Sequence, residues 1–213
     1  MKFLTTQWRR ISHVGIKDTS NYLANKRIIL CNQFTAVVAV NTLCYAGSFV
    51  GAGIYTLLPV QLFFLALLGL VFYCNRRGLY AAGKNLFLTA SAGIIFFVSL
   101  LLTRDAGSYL YYFPLASAVF TLFDYRELRK AVGALVLLFS LIVLLQLPAG
   151  YVPPIHIALS GDIKETLFVG GFLVALFINV MCVYHLLRAN YLAETQMQEA
   201  VHKEEELNQE LQT

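Results

Sequence analysis

The sequence predicts an all-α membrane protein, a polytopic bundle of six transmembrane helices followed by a C-terminal cytoplasmic coiled-coil helix. Of its 213 residues, 58% are hydrophobic and only 13% are charged, whereas about a quarter of the residues in a soluble domain are charged. Several apolar runs approach the roughly 20 residues that a helix needs to cross a bilayer. Spanning β-strands would alternate polar and apolar residues, and these runs do not.

The six predicted spans are residues 28–50, 55–74, 85–102, 108–123, 131–147 and 166–187. Glycines at Gly51 and Gly53 separate the first two runs, and the Pro153-Pro154 pair lies in the connection before the last. The fourth run is short and contains Pro114, which removes one backbone hydrogen bond from a helix. We therefore expect the spans to form one domain over residues 28–187.

The basic residues predict how the bundle is oriented. Of the 16 Lys and Arg residues, only Arg104 and Lys164 fall in the connections on one side, and the others fall in the tails and the remaining connections. Cytoplasmic connections carry the excess of basic residues in membrane proteins. Both termini are therefore predicted to be cytoplasmic.

Residues 1–27 form a basic N-terminal segment whose structure the sequence leaves open. Trp8 and Ile11 are interspersed with Arg9 and Arg10. This pattern is compatible with a short interfacial helix at the inner leaflet, and equally with a disordered basic tail.

Residues 188–213 predict a signalling helix that continues from the sixth span without a helix breaker. A heptad seam places Leu186, Ala193, Ala200 and Leu207 at d and Asn190, Met197, Glu204 and Leu211 at a. Such a seam favours a homodimer, and polar a positions fix its register. A solvated helix without a partner is the alternative. Because the heptads stop inside a helix, the pattern indicates either truncation before an output domain or a short connector whose output domain lies elsewhere.

The candidate ligand site lies at the short connections on the outer side. Its residues are Arg104, Asp105, Tyr109, Tyr112, His156 and Asp162. A charged pair with aromatic walls suits a small amphipathic or polar ligand. In the alternative interpretation Arg104 and Asp105 only turn the chain, while the tyrosines, Tyr111 among them, anchor it at the interface.

Polar residues inside the spans indicate packing rather than chemistry. Amides in a membrane commonly bond across helices, and here they are Asn32, Gln33, Asn41, Gln61 and Asn179. The spans carry no acidic or basic residue near their centres, which argues against ion-coupled transport. The sequence offers no nucleophile with its base, no metal-ligand cluster and no phosphate-binding glycine loop. We therefore expect no catalytic residue, metal or cofactor.

Four segments resemble the six-span membrane sensor domains of bacterial sensor histidine kinases and membrane-bound nucleotide cyclases. They read NKRIILCNQF, NRRGLYAAGKNLF, RDAGSYLYYFPLA and LFDYRELRK. The resemblance implies a receptor module in the bacterial inner membrane that passes helix movements to a dimeric output enzyme. A histidine kinase of a two-component system is the first expectation and a cyclase the second. Membrane lipids and a second copy are the expected partners, and nucleic acid is not.

Two other function classes remain open from the sequence. A small multi-span transporter or channel is compatible with the architecture. An enzyme acting on lipid would need an acid/base cluster at the membrane surface, for which Asp124, Glu127 and Arg129 are the nearest candidates.

Overall fold

The computed structural model describes residues 2–16, 22–102, 106–123, 127–147 and 161–210. Every regular element within these ranges is helical. The helices are α1 (Lys2–Ser12), α2 (Tyr22–Gly51), α3 (Leu58–Arg76), α4 (Tyr80–Leu102), α5 (Tyr112–Leu122), α6 (Leu128–Gln146) and α7 (Gly161–Glu210). Short 3-10 turns at Tyr55–Leu57 and Ser108–Tyr111 lead into α3 and α5.

The predicted all-α class is confirmed, and five helices among the described residues are long and apolar enough to cross a membrane. They are Asn25–Gly51, Tyr55–Arg76, Tyr80–Leu102, Leu128–Gln146 and Gly161–Arg188. The predicted fourth span forms a shorter element, a 3-10 turn followed by an α5 of 11 residues. Gly107, directly before this turn, has a φ of +69°. A regular right-handed helix cannot pass through this left-handed conformation, which glycine adopts readily.

The short α5 nevertheless packs against α2, α4, α6 and α7, while its Phe113 and Phe120 remain 60% and 59% exposed. An ion pair between Lys84 and Glu127 places the starts of α4 and α6 at one end. Leu102 and Leu167 share an apolar cluster at the opposite end. The chain between Leu102 and Glu127 must therefore return from one end to the other. α5 makes this return, and its Tyr112 hydroxyl donates to the Ala92 carbonyl of α4 at 3.1 Å.

Large apolar side chains lie both inside the bundle and on its outer surface. Val71, Val119 and Leu122 are fully buried in the core. On the outside, Phe139 of α6 is 67% exposed and Phe177 of α7 is 59% exposed. Exposed rings on helices of this hydropathy are typical of surfaces that face lipid.

α7 is one continuous helix of 50 residues, as the sequence predicted. Its apolar part ends at Arg188, and the helix continues to Glu210. At 1.5 Å per residue, residues 189–210 add about 33 Å of helix beyond the span. The seam positions from Leu186 to Leu207 lie on this helix, and Leu211 lies outside the described residues. Pairing of two copies stays a prediction.

Candidate functional site

A cavity of about 110 Å³, partly open to the outside of the bundle, lies between α2, α3, α4 and α5, and Ile178 of α7 also lines it. Most of the residues that line it are apolar, among them Phe34, Val38, Phe64, Phe87, Ile95 and Leu115. Gln61 and Ser91 also line it, 5% and 3% exposed. The buried Ser91 hydroxyl makes no hydrogen bond to another described protein group. Because unpaired polar groups are costly in an apolar interior, the cavity suits a molecule with a polar group.

Two tyrosines meet at one side of this cavity. The Tyr111 hydroxyl, in the turn before α5, donates to the Tyr45 hydroxyl of α2 at 3.1 Å. Their rings are arranged edge to face with centroids 6.2 Å apart, and Asn41 lines the cavity beside them. This group, Asn41, Tyr45 and Tyr111, is called the tyrosine gate below.

α7 approaches the tyrosine gate through a glycine. A Cβ placed on Gly171 would lie 2.9 Å from the Tyr45 hydroxyl and 3.7 Å from the Tyr111 ring. A larger residue at this position would displace one of the two tyrosines or the helix itself. The last span is therefore in direct contact with the wall of the cavity.

A second space, a groove of about 420 Å³, lies between α2 and α7. Small side chains line it, among them Cys44, Ser48, Ala52, Thr166 and Gly170. Asn41 and Tyr45 line both the groove and the cavity. These two gate residues therefore lie between the groove and the cavity, both of which are partly open.

The predicted ligand residues divide into three groups in the structure. Asp162 is exposed and lines the groove. Tyr109 packs against the main core, and Tyr112 is only 1% exposed, with its hydroxyl on a backbone carbonyl. Tyr109 and Tyr112 line neither the cavity nor the groove. Arg104, Asp105 and His156 lie outside the described residues.

The gate was missed at the sequence level, although both of its tyrosines were visible. Tyr111 belongs to the aromatic segment that was interpreted as an interfacial anchor. Tyr45 is 66 residues away in sequence, and a lone tyrosine in an apolar run gives no sign of its partner. Only the fold brings them together.

Two of the amides predicted to bridge membrane-spanning helices, Asn32 and Asn179, do so. Asn75 donates to Asn32 at 2.8 Å, which joins α3 to α2. Ser117 donates to Asn179 at 2.5 Å, which joins α5 to α7. Gln61 lies at the cavity wall instead.

A charged cluster joins α4 to α6 at the end of the bundle near α1. Lys84 pairs with Glu127 and lies 4.1 Å from the centroid of the Phe123 ring. Lys130 contacts the other carboxylate oxygen at 3.2 Å. The hydrogen bond from Lys84 is the main cause that lowers the pKa of Glu127, and Lys130 adds to it. Because the two lysines stabilise the charged form of Glu127, its carboxylate is suited to joining the helices rather than to exchanging protons in acid/base catalysis.

Among the residues that the structure describes, no group of three or more His, Cys, Asp or Glu side chains could hold a metal ion. Comparison of the chain with protein-family models, curated proteins and solved structures finds no match. A functional assignment must therefore depend on the cavity, the gate and the helices that contact them.

Proposed function

We propose that the chain is the membrane sensor part of a bacterial signalling receptor, with α7 carrying the response to a cytoplasmic output domain. The observation that carries the proposal is the course of α7. One unbroken helix contacts the tyrosine gate at Gly171 and extends to Glu210, beyond the last residue of its span at Arg188.

The gate offers a physical route from a ligand to α7. A small amphipathic or polar molecule that entered the groove or the cavity would contact Asn41 and Tyr45, which line both. Separation of Tyr45 from Tyr111 would change the surface against which Gly171 packs. Shifts or rotations of α7 are transmitted along a continuous helix, and 1–2 Å displacements are common in such switches. The ligand acts only through its different affinities for the two arrangements.

The orientation and assembly complete the proposal. Arg76 and Lys84 lie at the α1 end of the bundle, and we place this end in the cytoplasm because of its basic residues. α5 then makes the remaining crossing of a six-span domain in the bacterial inner membrane. Two copies pair through the 186–211 seam. A histidine kinase is the preferred output, on the resemblance of the sequence segments, with a nucleotide cyclase second.

The proposal is tested with a chimera in which residues 1–210 are fused, in heptad register, to a dimeric adenylate cyclase domain. Tyr111→Phe removes the donor of the gate hydrogen bond, and Gly171→Leu places bulk against it. We expect both to shift basal cyclase output several-fold, whereas Tyr55→Phe, at an exposed tyrosine, leaves it unchanged.

Expression and thermal stability of each chimera are measured in the same membranes, so that unfolding is separated from altered signalling. Unchanged output in two folded gate variants contradicts a sensor role for this site. Transport of small solutes into proteoliposomes by the unfused chain, lost in Gly171→Leu, would instead favour a transporter or channel.

A further inference from the structure

α1 leaves two large apolar side chains, Trp8 and Ile11, partly exposed on the outside of the protein. Trp8 and Ile11 are 39% and 38% exposed, whereas Ser12 at the end of the same helix is 2% exposed. The Gln33 amide donates to the Ser12 hydroxyl at 3.2 Å. The helix therefore contacts the bundle near its C-terminal end and presents Trp8 and Ile11 elsewhere.

The turn after α1 is fixed to the bundle through its backbone carbonyls. The Asn32 amide donates to the carbonyls of Ser12 at 3.1 Å and Val14 at 2.9 Å. The Tyr80 hydroxyl donates to the carbonyl of Gly15 at 2.8 Å. This set of bonds, called the carbonyl clamp below, joins the N-terminal segment to both α2 and α4.

Gly15 allows the clamp to close against α3. Its φ is +87°, and a Cβ there would lie 2.1 Å from the Asn75 carbonyl oxygen. Any residue with a Cβ at position 15 would therefore have to displace either its own backbone or the backbone at Asn75. The bundle therefore fixes the C-terminal end of α1 and the turn after it.

The clamp lies where three spans end. The apolar helices have their boundaries at Asn25, Arg76 and Tyr80 on this side, and the clamp contacts residues within or next to them. The C-terminal end of α1 therefore lies beside the ends of three helices that are apolar enough to span a membrane, which places α1 near headgroup level if they do. An exposed tryptophan at this depth is typical of membrane-surface helices.

The charges of α1 complement a negatively charged surface. Its sequence, KFLTTQWRRIS, contains no acidic residue, and Arg9 and Arg10 are both exposed. Basic side chains beside a bilayer are attracted to anionic lipids, and guanidinium groups bind phosphate oxygens in a bidentate manner. We propose that α1 binds the surface of an anionic phospholipid leaflet, with Trp8 and Ile11 at headgroup depth and Arg9 and Arg10 on lipid phosphates, while the carbonyl clamp connects this contact to α2, α3 and α4.

The chain contains one tryptophan, so Trp8 reports on α1 without any label. The full chain is reconstituted into nanodiscs of pure phosphatidylcholine or of phosphatidylcholine with 30 mol% phosphatidylglycerol, each with and without brominated acyl chains. We expect stronger quenching by bromine and several-fold less access to aqueous acrylamide in the anionic discs, because the anionic surface attracts Arg9 and Arg10. Equal quenching in the two compositions, or none in either, overturns the proposal.

A charge-reversed pair identifies the residues responsible. Arg9→Glu with Arg10→Glu is expected to remove the dependence on phosphatidylglycerol. Arg76→Glu with Arg129→Glu makes the same change in net charge at exposed positions of the bundle and is expected to preserve it. If the α1 variant, shown to be folded by its helical circular dichroism, retains the full lipid dependence, the proposal is overturned.

Discussion

Asn75 of α3 donates a hydrogen bond to Asn32 of α2 across 2.8 Å, and neither side chain is more than 1% exposed. The Asn32 amide group also donates to two carbonyls of the turn after α1. The Asn32 side chain therefore uses both its NH₂ group and its oxygen, and it joins α2 to α3 and to the turn after α1.

Replacement of Asn75 by leucine is expected to destabilise the bundle by about 1–2 kcal/mol. The variant removes the donor and leaves the Asn32 oxygen buried without it, and hydrogen bonds inside membranes contribute about 0.6–2 kcal/mol. Reversible unfolding in mixed detergent micelles measures the change. Asn85→Leu is the matched control, because Asn85 is exposed on α4. Equal losses for the two variants would contradict the role assigned to the buried pair.

Gly15→Ala is expected to release α1 from the bundle. The new methyl group would overlap the Asn75 carbonyl, and the positive φ adds a cost of about 1 kcal/mol for an L side chain. Faster proteolysis after Arg9 or Arg10 and greater acrylamide access to Trp8 measure the release. Gly78→Ala separates the two causes, since Gly78 has φ of +80° and a Cβ there would meet no described side chain or backbone within 4 Å apart from its chain neighbours. Steric overlap is the wrong explanation if both variants have the same effect on Trp8.

The pair of Glu127 with Lys84 is expected to make the bundle less stable in acid. The lysines lower the folded-state pKa of Glu127 below its reference value of 4.5. Its contribution to stability is therefore complete above the unfolded-state pKa and is lost as the pH falls through the lowered folded-state pKa. Unfolding between about pH 6 and about pH 3 should show a smaller acid loss in Glu127→Gln than in the unmodified chain.

Glu165→Gln is the control for this pH dependence, because Glu165 is exposed at the start of α7. We expect its acid profile to follow that of the unmodified chain. An unchanged acid profile in Glu127→Gln would show that another group causes the acid loss.

The sequence predicted the long elements well because a membrane-length apolar run has few other stable conformations. The predicted run at 55–74 corresponds to the structural span Tyr55–Arg76, and 131–147 corresponds to Leu128–Gln146. Helix length is decided locally by apolar residues, glycines and charges.

The fourth element and the gate could not be predicted in the same way. α5 has only 11 residues, and most of them are buried against other helices. Tyr112 looked like a surface tyrosine because its partner, the Ala92 carbonyl, is a backbone atom 20 residues away. Contacts of this kind depend on the angle and position at which two helices cross. The hydropathy pattern of the sequence does not determine either.

The last prediction concerns the coiled coil, for which the heptad pattern is the basis. The four native cysteines are free and are first replaced by alanine or serine. Single cysteines at the seam positions Met197 and Leu207 are expected to form disulfide-linked dimers in native membranes under mild oxidation, because a and d residues of two helices face each other. A cysteine at Gln198, one residue off the seam and exposed on α7, is expected to crosslink several-fold less. Equal crosslinking at all three positions would indicate collision of unpaired helices, and α7 would then carry its response as a single helix.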